Sequence, residues 1–364
     1  MAYTTIDDPS ENFQIALYTG NGNANKNIPL SSANYTDEYV GATMAPDLVW
    51  IKNRAISASH VLTDTTRGAT KSIFADQNNG ESTEAQQLTA FGSNDFTLGT
   101  SNNVNDADEA HVAWCWKANG GTRTTNTESG NNPAGGYQAN TTAGFSIVDY
   151  TGTGAAGTMA HGLGAVPKVM IVRNRDENSV DWAVYHRNAS AAGNDSYLEL
   201  NTTDAAATAG TVWNDTSPTS SVFTIGSNSK TNKDGVKYIA YLFAEKQGYF
   251  KAGQYTSNNN ADGPFIYCGF KPACVITKMY ADAGTNWRIY DNLREGFNGD
   301  NEFFELNSNS AEASSSEMDF YSNGFKQRSP SGYTDDNVDG GTYIYAAFAE
   351  HPFVSSSGVP ATAR

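Results

Sequence analysis

The sequence predicts an all-β chain of three tandem β-sandwich domains, jelly-roll-like and with little helix. Composition is the first reason: 34 Gly, 19 Tyr and 17 Phe among 364 residues, with abundant Asn, Ser and Thr, suit strands and tight turns. The second is that no long segment carries a helical 3.6-residue period; the helix candidates are short, such as STEAQQLTAF from Ser82. The third is a segment order that occurs three times, as expected when one small fold has been duplicated.

Each copy opens with a strand and a Tyr-containing turn, FQIALYTGNG at Phe13, FSIVDYTGTG at Phe145 and YFKAGQYTSN at Tyr249, which aligns Tyr18, Tyr150 and Tyr255. A proline-bearing apolar strand with a basic end follows: APDLVWIKNR with Pro46, AVPKVMIVRNR with Pro167, KPACVITKMY with Pro272. Next comes a ring with a charged residue four places on, aligning His60, Trp182 and Trp287, then Asp64, His186 and Asp291. A closing strand ends each copy, HVAWCWKA, YIAYLFAE or YIYAAFAE. From proline to the aromatic of that strand is 70 residues in the first copy (Pro46 to Trp116) and 76 in the others (Pro167 to Phe243, Pro272 to Phe348). These runs are apolar on both alternating faces, as in strands covered on each side. Steps such as Asn21-Gly22, Asn79-Gly80 and Asp234-Gly235 mark the turns between them.

The expected domains are therefore 13–117, 144–247 and 248–353. Residues 118–143, a polar tract with little to bury, read as a tether. Almost no spacer separates the second and third copies, so these are expected to pack as a unit with the first positioned separately. Residues 1–12 and 354–364 read as extended arms that partners would order.

A formal charge of −16 argues against nucleic acid, whose phosphates would be repelled. No apolar run approaches the roughly 20 residues that span a bilayer, and the start MAYTTIDDPS lacks the basic and apolar regions of a secretion signal. Synthesis in a cytoplasm is expected. Cys115, Cys268 and Cys274 read as structural thiols, the last two flanking Pro272 closely enough to approach one another. Asn-x-Ser/Thr sites at Asn34, Asn140, Asn188, Asn194, Asn201 and Asn214 read as composition rather than glycosylation.

Catalytic candidates fare poorly against the repeat. His60 and Asp64 resemble an acid–base pair, yet the aligned positions of His60 hold Trp182 and Trp287, and Asp64 with Arg67 recurs as Asp291 with Arg294, which suggests a structural ion pair. His161 lies among glycines without the lysine or the strand-then-helix context of a phosphate loop. Asp335, Asn337, Asp339 and Gly340 begin like a calcium loop, but its twelfth position is Ala346 instead of a bidentate glutamate. A polar turn, matched by NDADEAH and TNKDGVK in the other copies, is the simpler reading. No catalytic residue, metal ligand or cofactor is assigned.

The combination AWCWKANGG, ANTTAGFSIVDYTGTG, HGLGAVPK, DWAVYHRN, YIAYLFAEKQGYFKAGQYT, ADGPFIYCGFKPA and YIYAAFAEHPF resembles a repeated domain family of uncharacterised function. That family is found in virion structural and tail-fibre-like proteins of phages infecting marine bacteria. The resemblance runs from about Phe13 to Phe353 and carries no catalytic residues to transfer. It implies a non-enzymatic virion protein, a tail fibre or exposed appendage used in attachment to a host glycan or receptor. The implied partners are other virion proteins and further copies of the chain, as a homo-oligomer, typically a trimer, with no nucleic acid and no membrane insertion. The alternative is a capsid decoration or head-fibre protein held to the shell by the Val354 to Arg364 arm. A polysaccharide-degrading tailspike ranks last, because such enzymes use far shorter β-helical coils. Attachment would use rings and polar side chains on loops outside the shared strands, and Tyr137, Trp213, Tyr321 and Tyr333 are the candidates.

Overall fold

In every copy the opening strand pairs antiparallel with the closing strand, and the closing strand pairs on its other side with the proline strand. The first copy runs Phe13–Thr19, Ala110–Trp116, Leu48–Asn53, Val61–Asp64; the second Phe145–Thr151, Lys237–Ala244, Pro167–Asn174, Ala183–His186. The third runs Phe250–Thr256, Thr342–Pro352, Phe270–Met279, Arg288–Asp291. Two further strands complete each six-stranded sheet. The structure, a computed structural model, describes residues 3–30, 43–189, 195–294, 298–299, 301–315, 317–328 and 337–360. The chain is all-β with several sheets, and its helices among these residues are single turns, Asn102–Asn105 and Gly210–Trp213 with the 3₁₀ turn Pro9–Glu11.

Register places the repeated residues opposite one another. Phe13 faces Trp116, Phe145 faces Phe243 and Phe250 faces Phe348. At the other end of the same ladders Tyr18 stacks on His111, Tyr150 on Tyr238 and Tyr255 on Tyr343, with ring centroids 5.1, 5.0 and 5.0 Å apart. Cross-strand ring pairs of this kind fix register, because a one-residue slip would send every ring to the opposite face. Pro272 lies within its strand, and the ladder shifts register on both sides of it, since proline has no N–H to donate.

Alternate residues of each large sheet supply two different cores. The outward alternates, such as Val49, Ile51 and Cys115 in the first copy, pack beneath a smaller sheet that contributes Ile28, Leu88, Phe96 and Leu98. Equivalent clusters join Val148 and Met170 to Phe223 and Ile225, and Val275 and Ala347 to Phe320 and Phe325. The inward alternates of all three sheets merge into one cluster containing Trp50, Trp114, Val184, Tyr241, Ile289 and Ile344. Within it Trp116, Phe243 and Phe348 meet edge to face, with centroids 6.2, 5.5 and 5.5 Å apart around the triangle. Each such ring contributes about 1.5–3 kcal/mol by burial.

This shared core corrects the expectation that the first copy stands apart. A strand apolar on both faces must cover both, and the neighbouring copies supply the second cover. The expected tether also carries strands: Thr124–Asn126 and Gly135–Asn140 extend the second sheet, the latter pairing along the whole of Phe145–Tyr150. Its Gly and Asn residues removed the usual strand signal, but backbone hydrogen bonding to an open edge needs no particular side chain. The described parts of the arms, residues 3–12 and 354–360, are held by this chain itself. Ile6 enters the shared core, the Thr4 hydroxyl donates to the Gln247 carbonyl at 2.8 Å, and Ser356 N–H donates to Asp7 at 2.6 Å. STEAQQLTAF is not helical; Ser82–Thr83 and Leu88–Phe91 are strands, and Leu88 is buried in the outer core.

Candidate functional site

The ionisable residues singled out from sequence converge on the seams where one copy meets the next. Asp64 accepts a hydrogen bond from the Tyr241 hydroxyl at 2.8 Å and pairs with Arg67 at 2.6 Å, all three side chains buried. Asp291 accepts from Trp114 Nε1 at 3.1 Å and pairs with Arg294 at 2.7 Å. His186, the aligned residue of the second copy, donates from Nε2 to the Tyr345 carbonyl at 3.1 Å. Trp114, Tyr241 and Ala346 occupy one aligned position, facing Trp50, Ile171 and Ile276 across the closing strand. Where the third copy has Ala346 no side chain can meet His186, so the neighbouring backbone does. The missing volume leaves an apolar interior cavity of about 40 Å³ lined by His186, Ile171, Ile276, Ala346 and Phe348.

The rings four residues earlier bridge the same seams. Trp182 Nε1 donates to the Phe74 carbonyl at 3.0 Å, and Trp287 Nε1 to the Glu199 carbonyl at 2.9 Å. His60 Nδ1 accepts from Trp50 Nε1 at 3.0 Å, so its lone pair is already engaged and cannot take a substrate proton. Burial and the Lys52 charge hold its imidazole well below the ordinary value, against the pull of the Glu305 backbone carbonyl. Burial likewise lowers His186 to about 4 and depresses His161, whose Nε2 faces the Thr219 carbonyl while Nδ1 accepts from Leu163 N–H. These are neutral histidines spent on structure.

Lys52, Arg173 and Lys278, the basic ends of the proline strands, are buried at the seams too. Lys52 lies 5.0 Å from the Phe304 ring centroid, Arg173 donates to the Asn79 carbonyl, and Lys278 donates to the Thr203 and Thr285 carbonyls. Each therefore reaches into a different copy. Burial lowers Lys52 to about 8.

A second threefold feature escaped sequence reading. Asn105, Asn232 and Asn337, each in the turn before a closing strand, are buried and turn their carboxamides to the backbone. Asn232 donates to the Gly226 and Ala155 carbonyls at 2.6 and 2.7 Å and accepts from Thr153 N–H. Asn105 donates to Gly99 and Asn23, and Asn337 donates to Asn260 and accepts from Asn258 N–H. The Asn337 carboxamide oxygen is thus engaged by its own chain; Asp335 lies outside the described residues. The signal was the Asn shared by NDADEAH, TNKDGVK and DDNVDGG.

The three cysteines are free and buried. Cys268 belongs to the outer core of the third copy and Cys274 to the shared core, on opposite sides of one sheet, so they do not pair. Burial pushes the Cys268 thiol up to about 12, far from thiolate reactivity.

The aromatic surface candidates do not form one site. Trp213 is fully buried against Tyr185 and is corrected to a core residue, because its one-turn helix drops the indole into the second copy's core. Tyr137 is half-buried over Gly162, where its ring would lie 2.1 Å from any Cβ. Tyr321 is half-buried in a T-shaped pair with Phe265, ring centroids 5.8 Å apart. Tyr333 lies outside the described residues. Among the described residues, the exposed rings are Phe265 and Tyr267, 46% and 47% accessible, on the edge strand Phe265–Tyr267. Sequence reading missed them; the signal was the Phe-Ile-Tyr alternation, with Ile266 buried between them. Tyr267 joins Tyr3, Phe250 and Cys268 around an open cleft of about 300 Å³ rimmed by Glu245, Lys246 and Lys251.

Among the described residues, no helix is long and apolar enough to cross a membrane. Residues 8–352 match the family model described as "Domain of unknown function (DUF7483)", and the chain belongs to that family. No curated protein and no solved structure matches it.

Proposed function

We propose that this family member is a non-catalytic structural protein of a phage virion, a tail fibre or other exposed appendage that attaches to a host-surface glycan or receptor. Its three repeats are read as tandem β-sandwiches fused through a common core. The observation that carries the reading is the use made of the chain's chemistry. Asp64, His186 and Asp291 hold copies together by hydrogen bonds and His60 packs its ring on Phe304 of the third copy, while the accessible side chains include rings on a sheet edge. Groups locked into a seam supply rigidity rather than proton transfer, and rings beside polar groups supply recognition.

The resemblance to phage virion proteins supports the location on a particle assembled from host cytoplasm. Self-association, as a homo-oligomer or trimer, would use outward surfaces, because the inward sheet faces are already covered. Decoration of the capsid is the second reading, favoured by the terminal segment, where Val359 is 63% accessible and available to a shell subunit.

Antibody labelling of intact particles by electron microscopy tests both. Label on the tail or a protruding fibre, with binding of the purified chain to susceptible cells, supports attachment. Label spread over the head without cell binding supports decoration, and absence from the particle sinks both.

A further inference from the structure

We propose that the cleft between Tyr3 and the Phe265–Tyr267 edge is a binding site for an acidic saccharide, a glycan bearing uronate groups. The inference rests on the attachment reading and names its ligand class. Sugar rings present an apolar C–H face and a belt of hydroxyls, so a site for them pairs an accessible aromatic face with fixed polar atoms. Tyr267 and Tyr3 supply the rings, their hydroxyls 3.2 Å apart, and the Tyr3 hydroxyl donates to the Gly269 carbonyl at 2.8 Å. Lys251 Nζ donates to the Tyr267 carbonyl at 2.7 Å and sits 5.2 Å from its ring centroid. These contacts fix the rings before a ligand arrives, which reduces the entropy lost on binding.

Charge selects the class of sugar. The chain carries −16 overall, yet the rim of this cleft sets Lys246 and Lys251 against one carboxylate, Glu245, itself 4.0 Å from Lys168 Nζ. A local cationic rim on an acidic protein attracts an anion selectively and is screened by salt. The volume of about 300 Å³ accommodates a sugar unit, and Phe265, on the same face of the strand as Tyr267, offers the next ring along a longer chain.

The test is calorimetric titration of the full chain with uronate oligosaccharides prepared from alginate, beside neutral cello-oligosaccharides. Uronate binding is expected, with preference over the neutral sugar and about tenfold weakening from low to high salt. Tyr267→Ala should weaken it at least about tenfold while Tyr267→Phe stays within about threefold, since the ring and not the hydroxyl makes the platform. Lys246→Ala, a change at the rim that leaves the aromatic wall intact, should remove most of the acidic preference. Equal binding by Tyr267→Ala and Lys246→Ala, equal affinity for neutral sugar, or no uronate binding would overturn the site. So would self-association in sedimentation that Tyr267→Ala abolishes, which would assign the face to a second copy. If the unmodified chain labels bacterial cells and Tyr267→Ala labels them equally, the cleft fails while attachment stands. Capsid labelling without cell binding removes the attachment reading whatever the titration shows.

Discussion

Tyr241 of the second copy donates its hydroxyl to Asp64 of the first across 2.8 Å, and neither group meets solvent. Asp64 also receives Arg67, which reaches on to the Leu62 carbonyl and to Tyr241 itself. The aligned seam uses Trp114 and Asp291, the third His186 and a carbonyl. One architectural position is thus satisfied by three chemistries, each completing a buried polar group that would otherwise be costly.

Tyr241→Phe keeps the ring and removes the hydroxyl, which donates to Asp64 and accepts from Arg67. Loss of a hydrogen bond to a buried carboxylate should cost about 1.5–3 kcal/mol. Urea unfolding should show this as a lower midpoint with unchanged m-value. A change below a few tenths of a kcal/mol would mean the seam is wet.

Ala346→Val adds two methyl groups beside the cavity of about 40 Å³. Burying them without displacing neighbours should raise stability by about 1 kcal/mol, seen in the same urea titration. Destabilisation would show that the neighbouring rings have no room to accept them.

His186 stays neutral when folded because burial lowers it to about 4 from an ordinary 6.5. The unfolded chain therefore binds the proton first as pH falls. Stability is complete above about pH 6.5 and is lost progressively down to about pH 4. His60 and His161 are shifted in the same direction and add to the slope, so the comparison is with His186→Gln, whose amide can still donate to the Tyr345 carbonyl. Unfolding midpoints across this range should fall less steeply in the variant; parallel curves would refute the neutral buried histidine.

Asn232→Ala strips two carbonyls and one N–H of their shared partner. At about 1 kcal/mol or more for each buried group, the loss should be about 2–3 kcal/mol. Thermal unfolding checks the stability, and hydrogen exchange should place the loosening at Thr153 and the turn before Lys237. A shift below about 2 °C would count against the role assigned to this turn.

The repeat was legible in the sequence because alternation, turn chemistry and aligned rings are local properties of the chain. From them came the opening, proline and closing strands, the equivalence of Trp116, Phe243 and Phe348, and the removal of His60, Asp64 and Arg67 from catalytic candidacy. The buried Asn105, Asn232 and Asn337 were visible only as shared letters, since a carboxamide shows its purpose only when distant carbonyls are brought to it. Trp213 was misplaced because an indole in a loop-like segment carries no mark of which way it turns. Tertiary structure alone decided what covers the second apolar face of each closing strand. Apolar burial is non-directional, so a strand apolar on both sides specifies that both are covered without specifying by what; here the two other copies do it, and that contact gave Tyr241 and His186 their partners.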